Sequence, residues 1–157
     1  MMSQHARKGT FTMDLEQRIA RLEALEEIRA LKHRYLNACD TKDVEVIRQC
    51  FAPGDVRIDF GPLGSFSDRD SFVDLFQRLA CNDRVIDLHH GSNPEIKLES
   101  ENEASARWAL YYFNQDSETN ATMQLGGQYR DRYRRIEGQW LIVETEFDRF
   151  SVVEREG

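Results

Sequence analysis

The hydrophobic period of this chain is mainly between three and four residues in its first half and settles to two from Arg84 onward, and that switch limits the folds open to it. Over residues 14–38 apolar side chains recur at Leu15, Ile19, Leu22, Leu25, Ile28, Leu31, Tyr35 and Ala38, with Asp14 near the start. This is the spacing of an amphipathic helix, and charged residues fill its other face. The early stripe also has coiled-coil character, so it can bury against a partner subunit as well as against its own sheet. A short helix through Val44, Ile47 and Phe51 follows and stops at Pro53-Gly54. Residues 55–60 alternate Val56, Ile58 and Phe60 with Asp55, Arg57 and Asp59, a half-buried strand that ends at Gly61-Pro62. After a Gly64-Ser65 turn, cap candidates among Ser67, Asp68 and Asp70 precede a helix through Phe72, Val73, Leu75, Phe76 and Leu79.

From Arg84 the pattern is that of strands, over 85–90, 96–98, 104–114, 121–135 and 140–153. Turn signals separate them at 91–94, 101–102, 116–120 and 137–138. Helices first and antiparallel strands after predict an α+β fold. One curved antiparallel sheet packs on the N-terminal helices and encloses a cone-shaped pocket. Gly91 and Gly126-Gly127 mark places where a strand bends or admits a ligand. Alternation predicts one inward row of Ala104, Ala106, Trp108, Leu110, Tyr112 and Asn114, and another of Leu141, Val143, Thr145, Phe147 and Arg149. Both rows begin apolar and end polar. Trp108, Tyr112, Asn114, Tyr129 and Phe147 are the expected substrate-facing residues.

A chain of 157 residues suits one domain, here 14–157, with 1–13 as a disordered tail that lacks the hydrophobic centre of a signal peptide. The net charge of −7 argues against a nucleic-acid partner, which needs a basic face. Arg130, Arg132, Arg134 and Arg135 do not change that, because a solvated or acid-paired strand face accounts for them. No apolar run is long enough to cross a membrane. Cys39, Cys50 and Cys81 are an odd number without Cys-x-x-Cys spacing. They read as reduced, buried small hydrophobes of a cytoplasmic protein.

The candidate chemistry begins at Asp40. A helix C-terminus carries partial negative charge and favours Lys, Arg or His, so a carboxylate there either caps the next helix or serves a site. His89 and His90 are neighbours on a strand, point to opposite faces and cannot share a metal. No His-x-His or His-Glu-x-x-His pattern occurs, so no metal site is expected. From residue types alone, Asp40 reads more readily as a cap of the following helix, and His89 as a structural histidine, than either reads as catalytic.

The run Arg34-Tyr35-x4-Asp40-x-Lys42-Asp43 is followed by the unbroken segment from Leu88-His89-His90-Gly91 to Glu95-Ile96. After it come Ser100-Glu101-Asn102, Arg107-Trp108, Gly138-Gln139-Trp140 and Glu144-Thr145-x3-Arg149. In order and spacing these resemble the SnoaL-like branch of the nuclear transport factor 2-like superfamily. Within it the likeness is to the bile-acid 7α-dehydratases and, more distantly, to the scytalone dehydratases and hexachlorocyclohexane dehydrochlorinases. The resemblance implies an α+β cone, often trimeric, whose lyases use an Asp–His dyad without metal or organic cofactor. It carries the dyad onto Asp40 and His89, a pocket tyrosine onto Tyr35 and a late arginine onto Arg149. Two positions depart from it. Tyr112 stands where the bile-acid enzymes place a second carboxylate, and Asn114 where the scytalone enzymes place a second histidine.

An imidazole with a pKa near ~6.5 can take a proton from carbon next to a carbonyl and return it to a departing hydroxyl. A carboxylate on its other nitrogen fixes the tautomer and stabilises the imidazolium. The expectation is a cofactor-independent, homo-oligomeric (dimeric or trimeric) lyase acting on a hydrophobic cyclic small molecule. Arg149 and Tyr35 would steady the developing charge. Proton-shuttling isomerases, polyketide cyclases and non-catalytic binding modules are the alternatives on the same framework.

Overall fold

A reciprocal cap starts the first helix, α1 (Leu15–Thr41). The Asp14 carboxylate accepts from the Gln17 amide at 2.8 Å, and the Gln17 side chain accepts from the Asp14 amide at 3.1 Å. The computed structural model describes residues 13–157, so all of the expected tail except Met13 lies outside the described residues. α1 extends beyond Ala38 to Thr41, because Lys42 turns left-handed at φ 61° and returns its amide to the Ala38 and Cys39 carbonyls. Asp40 therefore lies in the last helical turn. The cap of α2 (Val44–Cys50) is Asp43, which accepts from the Val46 amide at 3.1 Å.

Ile28, Leu31, Tyr35, Leu36 and Cys39 of α1 are buried, and each large apolar side chain removed from water contributes roughly 1.5–3 kcal/mol. Leu15, Ile19 and Leu22, in its first turns, remain exposed.

β1 (Asp55–Asp59) and β2 (Ser65–Asp68) flank a short 3-10 turn at Gly61–Leu63. Then come α3 (Arg69–Ala80), β3 (Val85–Leu98), β4 (Glu103–Asp116), β5 (Thr122–Ile136) and β6 (Gln139–Arg155). They form one sheet of order β2-β1-β6-β5-β4-β3. β1 runs parallel to β6, with Ile58 beside Thr145, so the sheet is mixed where purely antiparallel pairing was expected. β1 arrives from α2 rather than through a hairpin, and the Ala52 amide already meets the Ile142 carbonyl at 2.9 Å before the strand begins. The Gly64-Ser65 turn leads directly into β2, and Asp68 at its end caps α3 through the Ser71 amide at 2.8 Å.

Two strand expectations are corrected by bulges. Residues 91–94 do not break β3: its pairing with β4 continues through an extra residue between Ser92 and Glu95, with Asn93 at φ 50°. On β6 an extra residue falls between Ile142 and Glu144, opposite consecutive Tyr133 and Arg132. That insertion reverses the alternation. Trp140 and Ile142 are buried in place of Leu141 and Val143, whereas Thr145 and Phe147 still point inward. A third irregularity lies at Gly126-Gly127. A Cβ on Gly127 would sit 2.3 Å from the Asp148 carbonyl oxygen and 2.4 Å from the Phe147 ring, so the strands approach this closely only at a glycine.

Two features fix the cone. Phe72 of α3 meets Phe51, Phe60 and Phe66 at ring-centroid distances of 5.5, 5.4 and 5.7 Å, tying α3 to α2, β1 and β2. Deeper in, Lys32 and Asp131 are both sealed from solvent with 2.8 Å between nitrogen and oxygen, a charge contact off the line of a directed hydrogen bond. Asp131 also accepts from the Tyr133 and Thr145 hydroxyls, each at 2.7 Å, and Trp108 Nε1 donates to the Tyr133 hydroxyl at 3.0 Å. Desolvation holds the Lys32 pKa down against the opposing pull of Asp131.

On the outer surface Arg130 pairs with Glu146 at 2.7 Å and with Asp148, and Arg135 pairs with Glu27 at 2.9 Å. The basic run is thus acid-paired at those positions. Among the described residues no helix is long and apolar enough to cross a membrane.

Candidate active site

The last turn of α1 lies against the middle of β3, and this contact brings Asp40 to His89. The Asp40 carboxylate accepts from the His89 backbone amide at 3.0 and 3.1 Å and stands 2.6 Å from the ring Nδ1. An ionised carboxylate only accepts, so neutral His89 carries its proton on Nδ1 and keeps a lone pair on Nε2. The Tyr112 ring, directly opposite on β4, packs on the imidazole at 4.6 Å between centroids. His90 is exposed on the other face of the sheet.

His89 borders a cavity of about 330 Å³ between α1, α3 and the concave face of the sheet. Phe60, Phe66, Phe72 and Phe76 form an aromatic wall, and Leu110, Leu125 and Phe147 extend it across the sheet. Of the expected site residues, Tyr35, His89, Tyr112, Asn114, Tyr129 and Phe147 line this space. Burial raises the Tyr35 and Tyr129 pKa values well above the usual phenol range, so both hydroxyls keep their protons. Burial likewise pushes the Cys39 thiol up, which leaves that pocket cysteine protonated.

Two expectations fail. Trp108 is fully buried but belongs to the core, with its indole nitrogen on Tyr133, and does not reach the cavity. Arg149 is exposed near the Gly126-Gly127 bulge and lies outside the lining. Pairing with β5 runs in unbroken register from Glu144 to Arg149, so Arg149 fails by depth and not by face: it stands past Phe147 on the exposed end of the strand.

The residue that sequence reading overlooked is Asp87, two positions before His89 on the same face. Its Oδ1 accepts from the Tyr112 hydroxyl at 2.5 Å and from Asn114 Nδ2 at 2.8 Å, and its Oδ2 is held by the Lys42 ammonium. The signal was available, since Val85, Asp87 and His89 alternate on one face. Burial pushes the Asp87 pKa up, but Lys42, Tyr112 and Asn114 together outweigh it and hold the carboxyl below its ordinary value of 3.8. A depressed folded-state pKa contributes stability above 3.8 that is lost as pH falls through the folded value. Asp87→Asn is therefore expected to flatten the acid limb of stability below pH 3.8, read from urea midpoints against pH. An unchanged slope would show that the carboxyl is not held in this way.

Among the described residues no three His, Cys, Asp or Glu side chains converge on a point where a metal would sit. The site can instead move a proton: one imidazole, backed by a carboxylate, opens onto an apolar chamber whose hydroxyls remain protonated.

An α+β cone with an acid-backed histidine in its wall defines a class, and the chain belongs to the SnoaL-like domain family, which matches residues 20–146. Its fold is shared with a protein from Novosphingobium aromaticivorans provisionally named a scytalone dehydratase. The two are 22% identical over 87% of this chain and 90% of that one, with a TM-score of 0.79. A hexachlorocyclohexane dehydrochlorinase from Novosphingobium barchaimii is 16% identical, with coverages of 88% and 94% and a TM-score of 0.78. A further protein of N. aromaticivorans, described as nuclear transport factor 2-like with a cystatin-like fold, is 25% identical. Its coverages are 85% and 88% and its TM-score is 0.68. The dehydratase and dehydrochlorinase likenesses, at such identities, establish the fold.

Proposed function

We propose that this protein is a cofactor-independent lyase that eliminates water from a hydrophobic cyclic small molecule, with His89 as the base and Asp40 as its partner. The observation that carries the reading is the 2.6 Å contact between Asp40 and His89 Nδ1, with the same imidazole bordering the cavity. His89 Nε2 takes a proton from carbon next to a carbonyl, and the released electron pair forms the enolate and then the new double bond. The carbon–oxygen bond breaks with its pair on oxygen, and the imidazolium returns its proton to give water and neutral His89. Asp40 and the negative end of α1 both favour the imidazolium while it exists. Tyr35, held protonated, donates to the substrate carbonyl or the leaving oxygen. A cavity of about 330 Å³ lies at the small end of the usual range for organic ligands and suits a bicyclic skeleton. The exposed Leu15, Ile19 and Leu22 support self-association of the chain.

The reading is tested by incubating the protein with bicyclic β-hydroxy ketones in deuterated water and weighing the products. Loss of one water at a rate that depends on His89 supports it. Deuterium at the α-carbon without loss of water makes the protein an isomerase of the same dyad. Tight binding with neither change makes it a binding module.

A further inference from the structure

The Lys42–Asp87–Tyr112 chain has a consequence for what the cavity selects. α1 and its cap hold two alternate residues of β3 with side chains of opposite sign: Asp40 takes His89, and Lys42 takes Asp87. Asp87 is only 5% exposed, and both its oxygens are engaged by donors. An ionised carboxylate has no proton to give, so in the 2.5 Å contact the single phenolic proton of Tyr112 points at Asp87. What remains on the Tyr112 oxygen is lone-pair density, enriched because the donated proton is drawn toward a negative charge. Tyr112 lines the cavity and packs against the His89 ring. An acceptor therefore stands beside the base on the same wall.

We propose that Tyr112, locked by Asp87 and Lys42, is a specificity-determining acceptor that binds the hydroxyl of the substrate and rejects a carbonyl at the same place. A hydroxyl that donates to Tyr112 turns its own lone pairs outward, toward the neighbouring His89 Nε2 from which the leaving oxygen needs its proton. A carbonyl there would set oxygen against oxygen, leaving both without a hydrogen and each stripped of water. Asp87 and Lys42 are positioning residues in this scheme: they touch no substrate and act through the phenol. The inference deepens the lyase reading by naming the group recognised beside the dyad.

The test is equilibrium binding, which needs no turnover, so it can fail while the lyase reading stands and stand while that reading fails. The probes are 1-tetralol and 1-tetralone, which share one bicyclic skeleton and differ in hydroxyl against carbonyl. Calorimetry with the wild-type protein is expected to show the alcohol bound about tenfold more tightly or better. In Tyr112→Phe the ratio is expected to fall to near one. In Asp87→Leu the phenolic proton is released into the cavity, and the ratio is expected to fall through a gain in ketone affinity. Wild-type protein that binds the two equally, prefers the ketone or binds neither overturns the proposal, as does an alcohol preference that survives Tyr112→Phe. If Asp87→Leu fails to fold, judged by circular dichroism, the comparison of wild type with Tyr112→Phe decides alone.

Discussion

His89→Ala is expected to lower kcat by about 10²–10⁴, the usual worth of a positioned general base, while the melting temperature stays nearly unchanged. The unequal effects follow from how Asp40 is held. Its carboxylate accepts from the backbone amide of residue 89 as well as from the ring. Removing the imidazole therefore leaves the carboxylate with a partner and keeps α1 fastened to β3. Asp40→Asn should lose a similar factor for a different reason. An amide can accept from Nδ1 but cannot offset the charge of an imidazolium, so the proton transfer loses its electrostatic support. Adding free imidazole to His89→Ala should restore part of the rate, which a purely structural histidine would not show. Full activity in either variant would remove the dyad from the mechanism.

Asp131→Ala is expected to cost about 3–5 kcal/mol of folding stability, the typical penalty for leaving one member of a sealed ion pair alone. Lys32 would remain fully buried with only the faces of Tyr129, at 3.5 Å, and Tyr35, at 5.3 Å, to balance its charge. The folded-state pKa of Lys32 already lies below 10.5. Between the folded and unfolded values the unfolded chain binds a proton that the folded one does not, so this group makes stability rise with pH toward 10.5. Loss of Asp131 depresses the folded value further and widens that window. The deficit should therefore be largest near neutrality and shrink in alkali. Denaturant midpoints across pH check this, and the double variant Lys32→Met with Asp131→Ala should lose less than the two singles combined. A deficit independent of pH would mean that the ammonium is not charged in the folded protein.

Much of the framework was legible from periodicity. The α1 stripe from Ile28 to Ala38 and the inward row of β4 follow from spacing, because nothing interrupts either stretch, whereas Leu15, Ile19 and Leu22 keep the period but stay exposed. Asp40 stood out because a carboxylate is misplaced at a helix C-terminus, whereas His89 was singled out by the family resemblance, since strand alternation showed only that it and His90 face opposite ways. The losses came where local pattern is silent. One inserted residue in β6 reverses every inward assignment before it, so Leu141 and Val143 were read inward in place of Trp140 and Ile142. A bulge carries no mark in the alternation it disturbs. Trp108 has the right face but not the right depth, and depth depends on which side chain lies over it. Lys32 shares the stripe of Ile28, Tyr35 and Cys39, yet lysine ordinarily marks a wet face. Only Asp131, 99 positions further on, makes its burial tolerable. Asp87 was passed over because its partners Tyr112 and Asn114 read as replacements for lost catalytic groups rather than as ligands of another carboxylate.

One rod spans the distance from the blind end to the reactive wall. The rings of Tyr35 and Tyr129 close the chamber over Lys32, and Asp40 stands five positions beyond Tyr35 on the same helix, an axial rise of about 7.5 Å. Because a helix does not stretch, it gauges its guests: a molecule whose breakable bond lies much further than that from its innermost atom cannot seat fully and still present the bond to His89. Related chains that accept longer skeletons would have to relocate the acid by whole turns, in steps of roughly 5.4 Å, since any lesser shift carries it to another side of the rod.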